Sequence, residues 1–268
     1  HSTFCGLSNS KLKILPPQAC SPSLLILDLE QNLFQSSSLQ KLPKNLRILN
    51  LVNNPLLDLK LPMLNFLRSL SLDNCGIKSF EGFPTFPQLR FLSVSNNYLT
   101  NFKGLPILMK LEYFNIKGNT FEFESKLSIA AIGSIALNTF NDVRLTENEL
   151  EEAFELSPLV GFSLRCGRDP TPCQSPKEEI QKSQEFLTHK LASYLKSKNI
   201  PYQKLSLNIC KYEDQSSIIC PFETKSIKWL RSRSPDKGTE WIPIPPSQDQ
   251  KQPNILPITM LLRMHLIR

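Results

Sequence analysis

The hydrophobic positions in the first half of the chain follow a three-then-two spacing. Leu46, Leu49 and Leu51 are separated by polar or variable residues, and Asn54 closes the unit, giving L-x-x-L-x-L-x-x-N. The same unit begins at Leu24, Leu67, Leu89 and Leu111, so the starts are 21 or 22 residues apart. Val94, Phe114 and Ile116 replace leucines in the later copies, and Cys75 replaces the closing asparagine once. Side chains alternate across a strand, so the second and third apolar positions of each unit face one side and the residues between them the other. One short strand cannot bury an apolar face alone. Stacking the units predicts a core column of Leu27, Leu49, Leu70, Leu92 and Phe114, and beside it a column of Leu29, Leu51, Leu72, Val94 and Ile116. The asparagine falls where the chain turns, and its amide can bond the exposed backbone of neighbouring turns.

Five copies at a fixed period are the signature of a leucine-rich repeat solenoid. The expected fold class is therefore α/β: a leucine-rich repeat solenoid with a helical cap, followed by a small all-β, immunoglobulin-like sandwich domain. Leu7 and Ser10 fall 22 residues before Leu29 and Asn32 and read as the tail of a preceding repeat. Ile77-x-x-Phe80-Glu81-Gly82-Phe83 and Leu99-x-x-Phe102-Lys103-Gly104-Leu105 repeat in the return segments, and prolines 43, 62, 84, 87 and 106 disfavour long helices there. These features resemble the short, roughly 22-residue class of intracellular repeat, whose convex side is built from 3₁₀ turns.

After Asn119 the period stops. An apolar stretch over 127–137 predicts a cap helix. Leu137-x-x-Phe140-Asn141-Asp142-x-x-Leu145 resembles the motif that closes many intracellular repeats, and Thr146 with Glu149 forms a capping box opening a helix over 147–156. The expected domains are a capped repeat module over 1–160, a Pro-rich linker over 161–176, and a helix plus sandwich over 177–268. Ser175-Pro176-x-Glu178 starts the helix, with Ile180, Leu187, Leu191, Tyr194 and Leu195 on one face and an end near Asn199. From 203 onward the period changes to two, with strands expected around Leu205–Ile209, Ser217–Phe222, Ser226–Arg231 and Glu240–Ile244. The segment from Ile258 to Ile267 reads as a strand or a short helix.

Length admits one large or two ordinary domains. The chain begins at His1 and ends inside an apolar run, and it reads as a piece of a longer protein. No run of 18 or more apolar residues is present, and the start lacks a charged segment followed by an apolar one. The net charge of +7 is uneven: residues 1–165 hold 15 Lys and Arg against 14 Asp and Glu, and residues 166–268 hold 16 against 10. The seven cysteines are odd in number and lack metal-ligand spacing, which predicts reduced thiols and a cytoplasmic setting. Three separated histidines and no phosphate-loop, nucleophile-elbow or zinc-protease motif give no basis for catalysis, a cofactor, a metal or a small-molecule substrate. His189 reads as a solvated helix residue.

The repeat register assigns the concave face. Ile26, Ile48, Ser69, Phe91 and Tyr113 form one column, and Asp28, Asn50, Ser71, Ser93 and Asn115 the next. Glu30, Val52, Asp73, Ser95 and Lys117 form the third. Arg47, Arg68 and Arg90 recur just before the first column and predict an arginine ladder. A line of exposed apolar and aromatic residues resembles an interface anchor, so partner binding is expected at Arg47, Ile48, Asn50, Arg68, Ser71, Arg90, Phe91, Ser93, Tyr113 and Asn115. The competing reading is that these residues pack against neighbouring segments of the same chain. A second cluster, Lys225, Lys228, Trp229, Arg231, Arg233 and Lys237, reads either as a solvated positive face or as a surface for an acidic protein or nucleic acid. No nucleic-acid module is recognisable.

The C-terminal third carries Ser163-Leu164-Arg165-x-Gly167-Arg168, Gln203-Lys204-Leu205-Ser206 and Ile227-Lys228-Trp229-Leu230-Arg231-Ser232. Gly238-Thr239-Glu240-Trp241-Ile242-Pro243-Ile244, Leu256-Pro257-Ile258-Thr259 and Met264 to Ile267 follow. This order resembles the auxin-induced-in-root-cultures family, large microtubule-associated proteins that couple an intracellular leucine-rich repeat to immunoglobulin-like repeats. The resemblance implies a non-enzymatic scaffold of the cytoskeleton, in a cilium or flagellum, with tubulin or another cytoskeletal protein as partner and no membrane. The rival readings are a soluble cytosolic or nuclear signalling or assembly adaptor, and a receptor ectodomain, which needs disulfides.

Overall fold

A computed structural model describes residues 2–121, 125–156, 158–170, 175–197, 208–212, 215–219, 228–233, 239–244 and 255–257. The chain divides into two compact units, residues 1–176 and 177–267. The protein is α/β, with an eight-stranded, mostly parallel sheet and four helices.

The large sheet is built from strands β1 (Phe4–Gly6), β2 (Ile26–Asp28), β3 (Ile48–Asn50), β4 (Ser69–Ser71), β5 (Phe91–Ser93), β6 (Tyr113–Asn115), β7 (Thr139–Phe140) and β8 (Val143–Arg144), adjacent in chain order. The first seven run parallel. Each step places one unit on the next in register: Leu27 opposite Leu49, Leu49 opposite Leu70, Leu70 opposite Leu92, Leu92 opposite Phe114. These five side chains are fully buried, as are Leu29, Leu51, Leu72 and Val94 in the adjoining column. Full burial of a leucine contributes roughly 1.5–3 kcal/mol, so two such columns dominate the core. The first segment behaves like the others: β1 pairs with β2, and Leu7 N donates to Asp28 O at 2.8 Å.

The return segments pack phenylalanines beneath the sheet. Phe80 and Phe102 are both fully buried, with rings parallel to within 6° at 6.4 Å, and Phe102 meets Phe121 at 4.7 Å. Two returns contain a 3₁₀ turn, Pro17–Cys20 and Ser36–Leu39. No return segment among the described residues up to Phe121 holds an α-helix.

A turn with left-handed backbone follows each strand. Asn9, Gln31, Asn53, Asn74, Asn96 and Gly118 all have φ between 51° and 72°, at equivalent points of successive units. Asparagine tolerates this region better than most residues. In four of these units the next residue is the asparagine of the sequence motif, buried at Asn32, Asn54 and Asn97 and half-buried at Asn119. Asn97 Nδ2 donates to Leu72 O, Val94 O and Ser95 O at 2.9–3.0 Å, and its Oδ1 accepts from Cys75 N and Ile77 N at 3.0 Å. Asn54 and Asn119 make equivalent bonds.

Cys75 occupies this position in its own unit. It is fully buried and its Sγ lies 3.2 Å from Leu51 O. Burial pushes its thiol up to about 12. The thiolate is the reactive form, so Cys75 is expected to resist iodoacetamide at pH 8 in the folded chain, whereas the partly exposed Cys20 is expected to react. Mass spectrometry of native and denatured labelling checks this. Labelling of Cys75 without denaturant would contradict its burial, and a Cys20 blocked even in denaturant would revive the disulfide-bearing ectodomain.

The repeat ends because the chain reverses. Asn141 and Asp142 both have positive φ, 52° and 61°, and join β7 to an antiparallel β8. Two consecutive left-handed residues match the twist of a two-residue hairpin. Helices α1 (Ser125–Ile132), α2 (Glu147–Glu155) and α3 (Pro158–Arg165) complete the unit. The cap helix expected over 127–137 is shorter and earlier, because Gly133, at φ 64°, ends it. The capping box forms: Thr146 Oγ1 accepts from Glu149 N, and Glu149 Oε2 accepts from Thr146 N at 2.9 Å. These bonds hold the Glu149 carboxyl below the usual carboxylate range.

Residues 161–165, expected in the linker, are helical and buried in α3. The helix closes with Arg168 N bonding Ser163 O and Gly167 N bonding Leu164 O, while Gly167 adopts φ 91°. This is a Schellman close, which needs the glycine. The expectation failed because a helix starting at Pro158, with Gly161 inside it, has weak local signals. Arg165 is buried, and its Nη1 donates to Ala131 O at 2.5 Å, near the C-terminus of α1. Burial lowers its pKa to about 10, while the helix carbonyls favour a cation there.

The second unit begins with α4 (Pro176–Ser197). Its buried stripe is Glu179, Ser183, Leu187 and Leu191. Leu187 and Leu191 match expectation, while Ile180 and Tyr194 are only half-buried. Strands β9 (Asn208–Tyr212), β10 (Gln215–Ile219) and β13 (Ile255–Pro257) form one antiparallel sheet, with β10 central. Strands β11 (Lys228–Arg233) and β12 (Thr239–Ile244) pair separately. The predicted segment over 258–267 lies outside the described residues.

Candidate functional site, the strand face

The strand register brings Ile26, Ile48, Ser69, Phe91, Tyr113 and Thr139 into one row across six strands. Ile48 is 40% exposed. Phe91 and Tyr113 are half-buried because they stack on each other, with ring centroids 4.2 Å apart and planes within 10°. Adjacent strands lie about 4.8 Å apart, so a flat pair is what two aromatic residues in one row must form. Together they present a rigid π surface.

The cap hairpin locks one end of this surface. Asp142 accepts from the Tyr113 hydroxyl, and its Oδ2 accepts from Lys117 Nζ at 2.9 Å and from Asn115 Nδ2 at 3.3 Å. Burial and the carboxylate together push the Tyr113 phenol up to about 12, and the same contacts hold Asp142 below the usual carboxylate range. The phenol is therefore a fixed hydrogen-bond donor across the working pH range. Asn141 Oδ1 also accepts from Ile116 N at 2.8 Å, so both turn residues tie β6 to the hairpin.

Two of the expected contact residues are not available to a partner. Ser93 and Asn115 are buried; Ser93 Oγ donates to Asp73 at 2.5 Å, and Asn115 reaches Asp142. They serve the face indirectly, by holding the carboxylates of Asp73 and Asp142. Asn50 is half-buried and donates to Glu30 Oε2 at 3.2 Å, and Ser71 is half-buried. The arginine row is also incomplete. Backbone bonds link Arg47, Arg68, Arg90 and Glu112 in sequence, and Arg90 Nη1 pairs with Glu112 Oε1 at 3.0 Å. The row thus ends in an ion pair, which could be read from Glu112 standing 22 residues after Arg90.

Sequence reading missed Asp142 and Phe66. Phe66 is 56% exposed and stands two residues before Arg68, at a position that the repeat pattern leaves free. Asp142 could not be found from the period, since the hairpin that delivers it begins where the period stops.

Of the basic cluster, Lys228, Trp229, Arg231 and Arg233 belong to β11, and Lys225 and Lys237 lie outside the described residues. Among the described residues no group of acidic, histidine and cysteine side chains could hold a metal ion, and no helix is long and apolar enough to cross a membrane. In comparison with known proteins, the chain matches no family model, and no curated protein is significantly similar to it.

Proposed function

We propose that this chain is a leucine-rich repeat protein whose solenoid acts as a non-enzymatic docking scaffold, holding a protein partner on its strand face. The observation that carries the reading is the stacked Phe91–Tyr113 pair, continued along its row by exposed Ile48 and braced by Asp142. Interface anchors are preorganised aromatic groups beside apolar side chains, and here the organising bonds belong to the protein itself. The in-register repeat of one strand per 21 or 22 residues supports the solenoid. The antiparallel strand pairs of the second unit support reading it as an immunoglobulin-like sandwich.

The family resemblance supplies the partner class, a microtubule or another acidic cytoskeletal filament, with the basic residues of β11 as a second contact. Co-sedimentation with microtubules across a salt series tests this. Pelleting is expected at low salt and is expected to fall steeply as the Debye length shrinks toward about 8 Å at physiological ionic strength. The variant Phe91→Ala with Tyr113→Ala is expected to lose at least tenfold in affinity for its partner, about 1.4 kcal/mol. Unchanged binding by that variant would remove the face from the mechanism. Absence of pelleting at low salt, together with one stoichiometric soluble partner, would favour the adaptor reading.

A further inference from the structure

The charges on the strand face are not equivalent. On the side where the strands end, each acidic group is engaged within the protein. Asp28 accepts from Glu30 N, Glu30 from Asn50, Asp73 from Ser93 and Ser95, and Asp142 from Tyr113, Asn115 and Lys117. On the side where the strands begin, Arg90 is paired with Glu112. Arg47 and Arg68 are different. Both are exposed, and among the described residues neither guanidinium has a hydrogen bond or an ion-pair partner.

These two arginines are immediate neighbours. Arg68 N donates to Arg47 O at 2.8 Å, so the residues lie side by side, each just before its strand. Like charges at directly opposed positions of a sheet repel, at a cost of up to about 1 kcal/mol. Exposed apolar residues stand next to the pair in sequence: Ile48 follows Arg47, and Phe66 precedes Arg68 by two residues. A guanidinium offers a planar fork of donors that matches a carboxylate bidentately. Two forks carried on backbones about 4.8 Å apart fit a segment that alternates carboxylate and apolar groups.

We infer that the strand face recognises an acidic segment of a protein partner, with its carboxylates on Arg47 and Arg68 and its apolar side chains on Ile48, Phe66 and the Phe91–Tyr113 pair. This rests on the docking reading above and adds the chemistry of the occupant. The partner's acid supplies Arg47 and Arg68 with the counter-charge that, among the described residues, no group of this face gives them. The polarity also sets direction: at Arg47 and Arg68 a basic segment would meet two bare cations, whereas an acidic one would pair with them.

The test uses the full chain and two fluorescein-labelled synthetic peptides, one repeating Glu-Leu-Phe and one repeating Lys-Leu-Phe, with binding followed by fluorescence anisotropy at low salt. The acidic peptide is expected to bind and the basic one not. Arg47→Gln with Arg68→Gln is expected to weaken the acidic peptide about fivefold and flatten its salt dependence. The equally charge-reducing pair Lys13→Gln with Lys78→Gln, exposed elsewhere, is expected to leave binding within twofold. Preference for the basic peptide, no binding by the unmodified chain, or equal effects of the two charge variants would overturn the inference. If the arginine variant binds normally while Phe91→Ala with Tyr113→Ala does not, the acidic recognition falls and the docking face stands. If neither variant matters, both fall. Helix α2 carries Glu147, Glu149, Glu151, Glu152 and Glu155, so self-association would be the other way to fill the site. Concentration-dependent dimerisation that is abolished by Arg47→Gln with Arg68→Gln would identify a second copy as the occupant and overturn a distinct partner.

Discussion

Replacing Gly161 by alanine is expected to lower the stability of the first unit by about 2 kcal/mol, opposite in sign to what helix propensity alone would give. Alanine is better than glycine inside a helix by roughly 1 kcal/mol. At Gly161, however, helices α1 and α3 touch backbone to backbone. A Cβ would lie 2.1 Å from Ala130 O and 2.9 Å from Ala130 C. Both atoms are backbone, so neither can swing aside, and the helices must separate. Overpacking of this kind costs about 1–3 kcal/mol, occasionally more. Separation would also disturb the bond from Arg165 to Ala131 O and the one from Gly104 N to Arg165 O, which connect α3 to α1 and to the adjacent return segment. Chemical denaturation measures the loss, and amide hydrogen exchange locates it, with faster exchange expected in α1 and α3 before β2 to β4. Equal or greater stability of Gly161→Ala would mean that the helices are not in contact there.

The second large effect is expected for Asn97→Ala. Its side chain satisfies five backbone groups at once: three carbonyls and two N–H groups. It is 3% exposed, so water does not readily replace it. Each buried group left unpaired costs about 1–3 kcal/mol, and the losses do not simply add. A fall of at least about 3 kcal/mol is expected, or roughly 6–12 °C in Tm for a unit of this size. Asn45 is the control: it is exposed and makes one bond, to Pro22 O at 3.0 Å, so Asn45→Ala is expected within about 0.5 kcal/mol of the parent. Asn97→Cys should lie between the two, because Cys75 already fills the equivalent position with a sulfur that still reaches Leu51 O. If Asn97→Ala and Asn45→Ala are alike, the buried amide ladder contributes nothing and the stack is held by leucine packing alone.

Both predictions sit at points where local pattern and tertiary packing meet, and they differ in how far the sequence announces them. The asparagine can be read at once. It recurs at the ninth position of the unit, next to a residue that must adopt left-handed backbone, and Asn9, Asn53, Asn74 and Asn96 supply that residue. Gly161 cannot be read, since its role depends on Ala130 lying against it, 31 positions earlier in the chain. The candidate site divides in the same way. The row of Ile48, Phe91 and Tyr113 follows from spacing alone, because one strand per unit stacked in register leaves no other arrangement. The burial of Ser93 and Asn115 does not follow, since it depends on where Asp73 and Asp142 send their carboxylates.

What the amino-acid sequence determined by itself was therefore everything periodic: the strand positions, the two leucine columns, the asparagine ladder, the capping box at Thr146 and Glu149, and the identity of the exposed row. Period is a local property, and each unit constrains only its neighbours. What only the tertiary structure decided was everything at the breaks in that period. The hairpin at Asn141 and Asp142 reaches back to Tyr113, and helix α3 closes on α1 through Gly161 and Arg165. Those contacts join residues whose separation in the chain carries no repeat. Their energies come from burial and charge pairing, which exist only once the chain has folded.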